Sequence, residues 1–133
     1  MGNNKKLEDI KDLKAEIGRS KLLLDISRKI ASIKNLSEIL WTIVEFVTKN
    51  VDADRGTLFL NDEETNELYS RVAQGDLTRE IRILNTVGIA GGIFQSQVGE
   101  IIHDVYSDER FNKDVDQETG YKTKNMICSP VRT

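Results

Sequence analysis

Residues 111–131 read FNKDVDQETGYKTKNMICSPV, a polar and acidic stretch that becomes an apolar strand within a few residues. Its first half carries Asp116, Thr119 and Thr123, whose side chains form hydrogen bonds, and Gly120 stands where the backbone must turn. A hydroxyl-bearing, acidic segment directly before a buried strand is suited to line a small-molecule pocket. The stretch therefore predicts a strand of a sheet and a ligand-binding segment in front of it.

The composition of the chain is typical of one soluble domain with an appended solvated helix. It has 133 residues, of which 38% are hydrophobic and 31% are charged, and its formal net charge is −3. Basic residues alternate with acidic ones, which argues against a nucleic-acid-binding face. No apolar run is long enough to span a bilayer and no signal-peptide core follows Met1. We therefore expect a cytoplasmic protein with no nucleic-acid partner and no membrane contact in this segment.

The chemistry-bearing residues are too few and too scattered to form a catalytic set or a metal site. Cys128 is the single cysteine, so an internal disulfide and a cysteine-based zinc site are excluded. His103 is the single histidine, and its neighbour Asp104 would point to the opposite face of a strand. No nucleophile elbow or phosphate-binding P-loop is present. We expect neither catalytic residues nor a metal, and hence a segment that is not an enzyme.

The first 33 residues predict a long helix with a narrow apolar stripe, from about residue 5. Gly18 and Ser20 interrupt the stripe, which then resumes. A narrow stripe is what a helix needs to pair with one partner helix, so we expect a homodimer through this helix. The alternative is a helix that packs on its own domain, as we expect of its second half. The stripe consists of Leu7, Ile10, Leu13 and Ile17, and then of Leu23, Ile26, Ile30 and Ile33.

A second helix is predicted to follow, to about Val51, and then a series of short strands. Asn35 and Glu38 form a capping-box pattern at its start, and its broader apolar stripe is typical of a helix laid on a sheet. Period-two patterning predicts strands at 57–60, 68–72 and 80–84. A glycine-rich turn at 87–94 opens a short helix to about 97. A strand at 101–102, a helical turn within 108–117 and a strand at 124–133 complete an α+β domain with an antiparallel sheet and helices on one face.

Three blocks resemble GAF domains in the order that family shows: ADRGTLFL at 53–60, GIAG at 88–91 and VDQETGYKT at 115–123. The third block resembles the cyclic-nucleotide-binding GAF domains of phosphodiesterases and cyanobacterial-type adenylyl cyclases. The resemblance implies a GAF domain at 22–133, preceded by a signalling helix or linker at 1–21. A full domain would add at least one strand and a closing helix, so the resemblance implies that this chain stops before them.

The resemblance also implies a function and a set of binding residues. The function is a non-catalytic sensory module that binds a small ligand, cAMP or cGMP, and controls an output domain. That domain would be a nucleotide cyclase (adenylate or guanylate), a phosphodiesterase, a histidine kinase or a diguanylate cyclase. By family position, Thr57 offers a hydroxyl to the purine, Ala90 a backbone contact and Asp116 a contact to the base. Thr119 and Thr123 line the phosphate and ribose side.

One departure from the family pattern favours a second hypothesis, a dimerisation module without ligand. Where the family places an aromatic residue and an aspartate at the end of the second strand, this chain has Ala73 and Gln74. Stacking on an aromatic ring contributes on the order of 1–3 kcal/mol per base. If the module binds a ligand, Asp116→Ala and Thr119→Ala should lower affinity and barely change stability, because binding groups on loops contribute little to the core.

Overall fold

The computed structural model describes residues 2–75 and 80–132, and the predicted end of the last strand at Thr133 lies outside them. The α+β class is confirmed, with short antiparallel strands between helices. By contacts the chain divides into two compact units, Met1–Asp52 and Ala53–Thr133. In chain order the elements are α1 (Gly2–Ala31), α2 (Leu36–Asn50), β1 (Thr57–Asp62), β2 (Glu67–Ala73), β3 (Arg82–Leu84), α3 (Gly88–Ser96), β4 (Glu100–Ile102), a 3-10 turn (Val105–Ser107), α4 (Lys113–Thr119) and β5 (Met126–Cys128).

The first unit consists of the two predicted helices, which contact each other. The predicted cap of α2 is confirmed, because the Asn35 side chain accepts a hydrogen bond from the Ser37 backbone N–H at 2.8 Å. Along α1 the two parts of the apolar stripe differ. In the second part Ile26 and Ile30 are half-buried and Leu23 is exposed, whereas all residues of the first part are exposed. Across residues 2–75 and 80–132, no helix is both long enough and apolar enough to cross a bilayer.

The strands of the second unit form two antiparallel sheets, where the sequence predicted one. In the first, β1 pairs with β2 and β2 pairs with β3, with a bulge between Leu58 and Phe59. In the second, β4 pairs with β5. β5 is much shorter than the predicted strand. The Lys124 carbonyl accepts its bond from the Val105 N–H at 3.1 Å instead of a ladder partner, and Pro130 beyond the strand has no N–H to donate.

The apolar core of the second unit lies around α3, which contacts both β3 and β5. Val105 is fully buried there and Ile93 nearly so. Tyr106 and Phe111 pack against this core with their ring centroids 5.3 Å apart. The core therefore holds the 3-10 turn and Phe111, the first residue of the acidic segment 111–131 and two positions before α4. Its buried members are Ile89, Ile93, Ile102 and Val105, with Tyr106, Phe111, Met126 and Cys128 packed around them.

Candidate functional site

Asp116 is the centre of a hydrogen-bond network that folds residues 105–123 together. Its carboxylate lies in α4 and is 7% exposed. Oδ2 accepts from the Tyr106 hydroxyl and from the Thr123 backbone N–H, both at 2.7 Å, and Oδ1 accepts from the Thr123 hydroxyl at 2.7 Å. One buried side chain therefore joins the 3-10 turn, α4 and the loop after α4. Asn112 caps the same helix by accepting from the Asp114 N–H at 3.0 Å.

The network holds Asp116 in its charged form. Burial alone would raise the pKa of this carboxyl, but the hydrogen bonds from Thr123 and Tyr106 and the positive charge of Arg55 outweigh burial. The pKa of Asp116 therefore lies below its ordinary value. The same contact raises the pKa of the Tyr106 hydroxyl, because its bond to the carboxylate favours the protonated phenol. A buried carboxylate with these partners supports the fold, which revises the expectation that Asp116→Ala would barely change stability.

Thr119 is one turn after Asp116 and ends the helix. Its hydroxyl donates to the Val115 carbonyl at 2.9 Å and accepts from the Tyr121 N–H at 3.3 Å. Gly120 follows with a φ of 69°, the left-handed conformation that glycine adopts without strain. The predicted turn at Gly120 is thus the C-terminal cap of α4. The hydroxyls of Thr119 and Thr123 donate within the protein and keep lone pairs to accept from a ligand.

Tyr121 connects this segment to the start of β1. Its hydroxyl donates to the Asp54 carboxylate at 3.0 Å, and the Arg55 guanidinium carbon lies 4.0 Å from its ring centroid. Burial, together with the bond to Asp54, raises the pKa of Tyr121. The sequence did not indicate that three further residues belong to this region: Tyr106, Tyr121 and Arg55. The signal was available in part, since Asp54 and Arg55 belong to a block that resembles the GAF family and Tyr121 belongs to another.

Thr57, the predicted purine contact, is exposed at the first position of β1 and lies opposite Ala73 of β2. Side chains that lie directly opposite in an antiparallel pair share one face. The residue where the family has its aromatic side chain is therefore the cross-strand neighbour of Thr57. Gln74, next to Ala73, closes the ladder. Its side-chain oxygen accepts from the Gly56 N–H at 2.8 Å, and its own N–H donates to the Gly56 carbonyl at 3.0 Å.

Ala90, the predicted backbone contact, lies in the first turn of α3 and is half-buried. No side chain caps this helix start, where Val87 is the capping residue. The first amides of α3 therefore lack the side-chain acceptor that the first turn of α2 has. The glycines beside Ala90 have structural reasons. Gly88 has a φ of 75°, and a Cβ on Gly91 would lie 2.9 Å from the Thr86 carbonyl carbon. The glycine-rich turn thus serves packing as well as any contact with an anion.

Arg110 lies beside that turn and is held by two carboxylates. It forms a bidentate pair with Glu100, at 3.2 and 2.8 Å, and further bonds with Asp108, at 3.0 and 2.8 Å. The Arg110 hydrogen bonds lower the pKa of Asp108 to about 2. A Cβ on Gly92 would lie 3.4 Å from Nη1 of Arg110. Since both partners are acidic, Arg110 fastens β4 to the turn before α4 and adds no net positive charge there.

The structure brings three of the five predicted binding residues together. Asp116, Thr119 and Thr123 belong to one hydrogen-bonded segment. Thr57 is on a separate strand, two residues after the Arg55 that stacks on Tyr121, and Ala90 is on α3. Within the part of the chain that the structure describes, no group of three or more His, Cys, Asp or Glu side chains is arranged to hold a metal ion.

Comparison with known proteins places this arrangement in one family. A sequence model described as the GAF domain matches residues 35–133. The chain is 38% identical over 125 residues to a Caenorhabditis elegans protein named "Probable 3',5'-cyclic phosphodiesterase pde-5", covering 84% of this chain and 17% of that protein. It is 29% identical over 133 residues to the Drosophila melanogaster "Dual 3',5'-cyclic-AMP and -GMP phosphodiesterase 11", covering 88% and 9%. The chain thus spans less than a fifth of the length of these relatives.

Solved structures agree on the fold. The GAF domain of a phosphoenolpyruvate-protein phosphotransferase from Coxiella burnetii superposes with a TM-score of 0.75 at 19% identity, covering 85% of this chain and 68% of that one. The A. aeolicus nlh2 GAF domain, in an inactive state, superposes with a TM-score of 0.69 at 16% identity, covering 88% and 72%. The family match extends over well more than half of the chain, and the fold and the three sequence blocks agree with it. The chain therefore belongs to the GAF domain family, and this segment is a regulatory module.

Proposed function

We propose that this regulatory module binds a cyclic nucleotide, cAMP or cGMP, within its second unit and passes the bound state to an output domain of a longer signalling protein. The observation that carries the proposal is the buried Asp116 carboxylate. It accepts three hydrogen bonds that hold the 105–123 segment in shape, and Thr119 and Thr123 are thereby fixed on one short stretch of chain. A preformed segment of this kind lowers the ordering cost of binding.

Each proposed contact has a distinct chemical role. The phosphate meets the amides of the first turn of α3, including that of Ala90, because those donors have no side-chain cap. The Thr57 hydroxyl, which is exposed on β1, bonds to the purine. Asp116 orients the segment with its buried carboxylate and contacts the base through its backbone, while Thr119 and Thr123 line the phosphate and ribose side. The absence of an aromatic residue at Ala73 makes this a weaker site than one with a stacking ring.

The similar proteins support both the ligand class and the output. The two animal relatives above carry the names of cyclic-nucleotide phosphodiesterases. Among the outputs that the resemblance implied, a phosphodiesterase therefore has more support than an adenylate or guanylate cyclase, a histidine kinase or a diguanylate cyclase. We place the module in the cytoplasm, with residues 22–133 as the GAF domain and 1–21 as its helical linker.

Isothermal titration calorimetry with cAMP and with cGMP tests the proposal. We expect saturable heat with at least one of the two, and a loss of affinity in Thr57→Val, whose exposed hydroxyl contributes little to folding. Thr65→Val, at an exposed position in the turn between β1 and β2, is the matched control and should bind as the wild type does. Equal binding by wild type and Thr57→Val would remove that residue from the site. An absence of heat and of thermal stabilisation at millimolar concentrations of both nucleotides would contradict the proposal.

A ligand-free dimerisation module is the second candidate, and one observation favours it. The first part of the α1 apolar stripe is exposed, with Leu13 and Ile17 each 61% accessible to solvent. An exposed apolar row at helical spacing is typical of a surface that meets a partner. The two candidates are compatible, since a sensory module can act through the helix by which it dimerises. They separate in the calorimetric experiment, because only the first requires a nucleotide.

A further inference from the structure

The two apolar stripes of α1 lie on different sides of the helix. Ile10, Leu13, Ile17 and Leu24 form what we call the open stripe, and they are 45%, 61%, 61% and 57% exposed. Ile26 and Ile30 are half-buried. At about 100° per residue, the centres of the two stripes are about 150° apart around the axis. On the side of Ile26 and Ile30 the helix is partly covered, although Leu23 there is 64% exposed, whereas the open stripe faces solvent along its whole length.

The open stripe has the spacing of a coiled-coil seam. Steps of three, four and seven residues place Ile10, Ile17 and Leu24 at a positions of a heptad and Leu13 at a d position. In parallel coils, β-branched isoleucine at a with leucine at d, as at Ile10 and Leu13, favours two strands over three or four. A surface depression along α1 is lined by the residues that this register places at a, d, e and g, and no others: Leu13, Glu16, Ile17, Ser20, Lys21 and Leu24.

The charges on the two sides of the open stripe are of opposite sign. The g positions are Asp9, Glu16 and the apolar Leu23, and the e positions are Lys14 and Lys21. In a parallel pair of identical helices, each g residue faces the e residue five positions later on the other helix. Both resulting contacts, Asp9 with Lys14 and Glu16 with Lys21, join an acid to a base. An antiparallel pair brings g positions opposite g positions and e opposite e, which sets like charges against each other.

We propose that the open stripe is the seam of a parallel two-stranded coiled coil with a second copy of this chain, in which Asp9 and Glu16 of each helix pair with Lys14 and Lys21 of the other. The proposal specifies the helix pairing given above as the second candidate function and does not depend on nucleotide binding. Parallel packing makes both chains continue from the same end of the coil. The two copies are then related by a two-fold axis along α1, the commonest symmetry of homodimers.

The same register identifies where the coil is weak. Ser20 occupies the d position between Ile17 and Leu24, in the middle of a seam about 21 Å long. A hydroxyl there adds no apolar burial, and two heptads are few for a stable coil. We therefore expect a dimer that dissociates readily, and a tighter one when Ser20 is replaced by leucine. A reversible seam is useful in a regulatory helix, since small changes in packing shift its equilibrium.

Sedimentation equilibrium of the full chain measures the pairing. Ile17→Lys should raise the dimer dissociation constant by about a hundredfold or more, and Ser20→Leu should lower it by about tenfold. Glu16→Lys should raise it by about three- to tenfold, and adding Lys21→Glu to that variant should restore it, because the pair is regained with reversed signs. Glu8→Lys makes the same charge change on the opposite side of the helix and should leave the constant unaltered.

Cysteine cross-linking decides the direction. With Cys128 replaced by serine, Ile10→Cys should form a disulfide between copies on mild oxidation, since equivalent a positions adjoin in a parallel coil. An antiparallel pair centred on Ile17 would link Ile10→Cys chains only to Leu24→Cys chains, which would overturn the orientation. A monomer up to high micromolar concentration, or a dimer unaffected by Ile17→Lys, would overturn the seam itself. Nucleotide binding by such a monomer would leave the ligand proposal standing and remove this one alone.

Discussion

The 105–123 segment and the first two-thirds of α1 differ in which of their side chains are buried and which are exposed. The first is polar and looks like a binding surface in sequence, yet its central carboxylate is buried and makes three hydrogen bonds within the protein. The second carries a narrow row of aliphatic side chains that predicts pairing with a partner helix, and that row is exposed in the single chain. A polar residue therefore predicts a hydrogen bond but does not show whether the partner is a ligand or the protein itself. An apolar stripe predicts burial, which a second chain can supply.

The largest expected effect comes from removing the polar centre. Asp116→Ala leaves the Tyr106 hydroxyl and the two Thr123 donors without their acceptor. We expect the free energy of unfolding in urea to fall by about 2–4 kcal/mol. Asp114→Ala, an exposed aspartate in the same helix, should change it by no more than about 0.5 kcal/mol. If the two variants were equally stable, Asp116 would not be the structural centre that the comparison makes it.

Alanine substitution of two neighbouring glycines tests how tightly α3 is packed against the turn before it. Gly91→Ala puts a methyl group 2.9 Å from the Thr86 carbonyl carbon, so we expect a loss of about 1–3 kcal/mol in unfolding free energy. Gly92→Ala approaches only the Arg110 side chain, with Nη1 at 3.4 Å, which is an ordinary contact distance, and should be nearly neutral. Chemical denaturation of both variants makes the test. A neutral Gly91→Ala would mean that the turn before α3 yields more easily than the geometry indicates.

Nucleotide affinity can be increased if the proposed site is correct. Ala73→Tyr places a ring next to Thr57 across the β1–β2 ladder. Stacking on a purine should tighten binding of the preferred cyclic nucleotide by about tenfold, measured by calorimetry. Ala73→Leu adds bulk without an aromatic ring face and serves as the control. Equal affinities in the wild type and in the tyrosine variant would place the base elsewhere.

The pH dependence of stability provides a test of the same carboxylate. Because the pKa of Asp116 in the folded state lies below its ordinary value of 3.8, the bonds to it stabilise the protein fully above that value. This contribution is lost as the pH falls through the folded-state pKa. The stability difference between wild type and Asp116→Ala should therefore be constant near neutral pH and shrink below about pH 4. A difference that grew on acidification would reverse the assigned direction of the shift.

The smallest effect is expected on the open helix. Apart from its chain neighbours and the backbone of its own helix, no atom of the described residues lies within 4 Å of where a Cβ on Gly18 would be. Gly18→Ala should therefore raise helix stability by about 0.5–1 kcal/mol, with more helical circular dichroism on mild heating. A loss of helicity would indicate a partner close to Gly18, contrary to the exposure of this part of the helix.

Periodicity and turn chemistry predicted most of the fold. The Asn35 cap, the β1–β2 hairpin and the turn at Gly120 follow from local residue preferences, and each is present. The division into two sheets was not predictable, because it depends on which strands meet in space. The length of β5 was missed for the same reason, since the Lys124 carbonyl bonds to Val105, a residue distant in sequence.

The candidate site was predictable only in part. The sequence indicated that Asp116, Thr119 and Thr123 belong together, because they lie within eight positions of one another before a strand. It did not indicate that Asp116 faces inward, because burial of a carboxylate depends on donors brought by the fold, here Tyr106 and the Thr123 backbone. Tyr121 and Arg55 were missed because their contact joins residues far apart in the chain.

Amide chemical shifts during a nucleotide titration test the central claim most directly, since each candidate surface has its own backbone signals. With cAMP or cGMP, the account predicts that the perturbed amides include those of Thr57, Ala90, Thr119 and Thr123, while the signals of residues 10–24 of α1 move little or only through a change in pairing. Perturbations confined to α1, or none at saturating nucleotide, would contradict it.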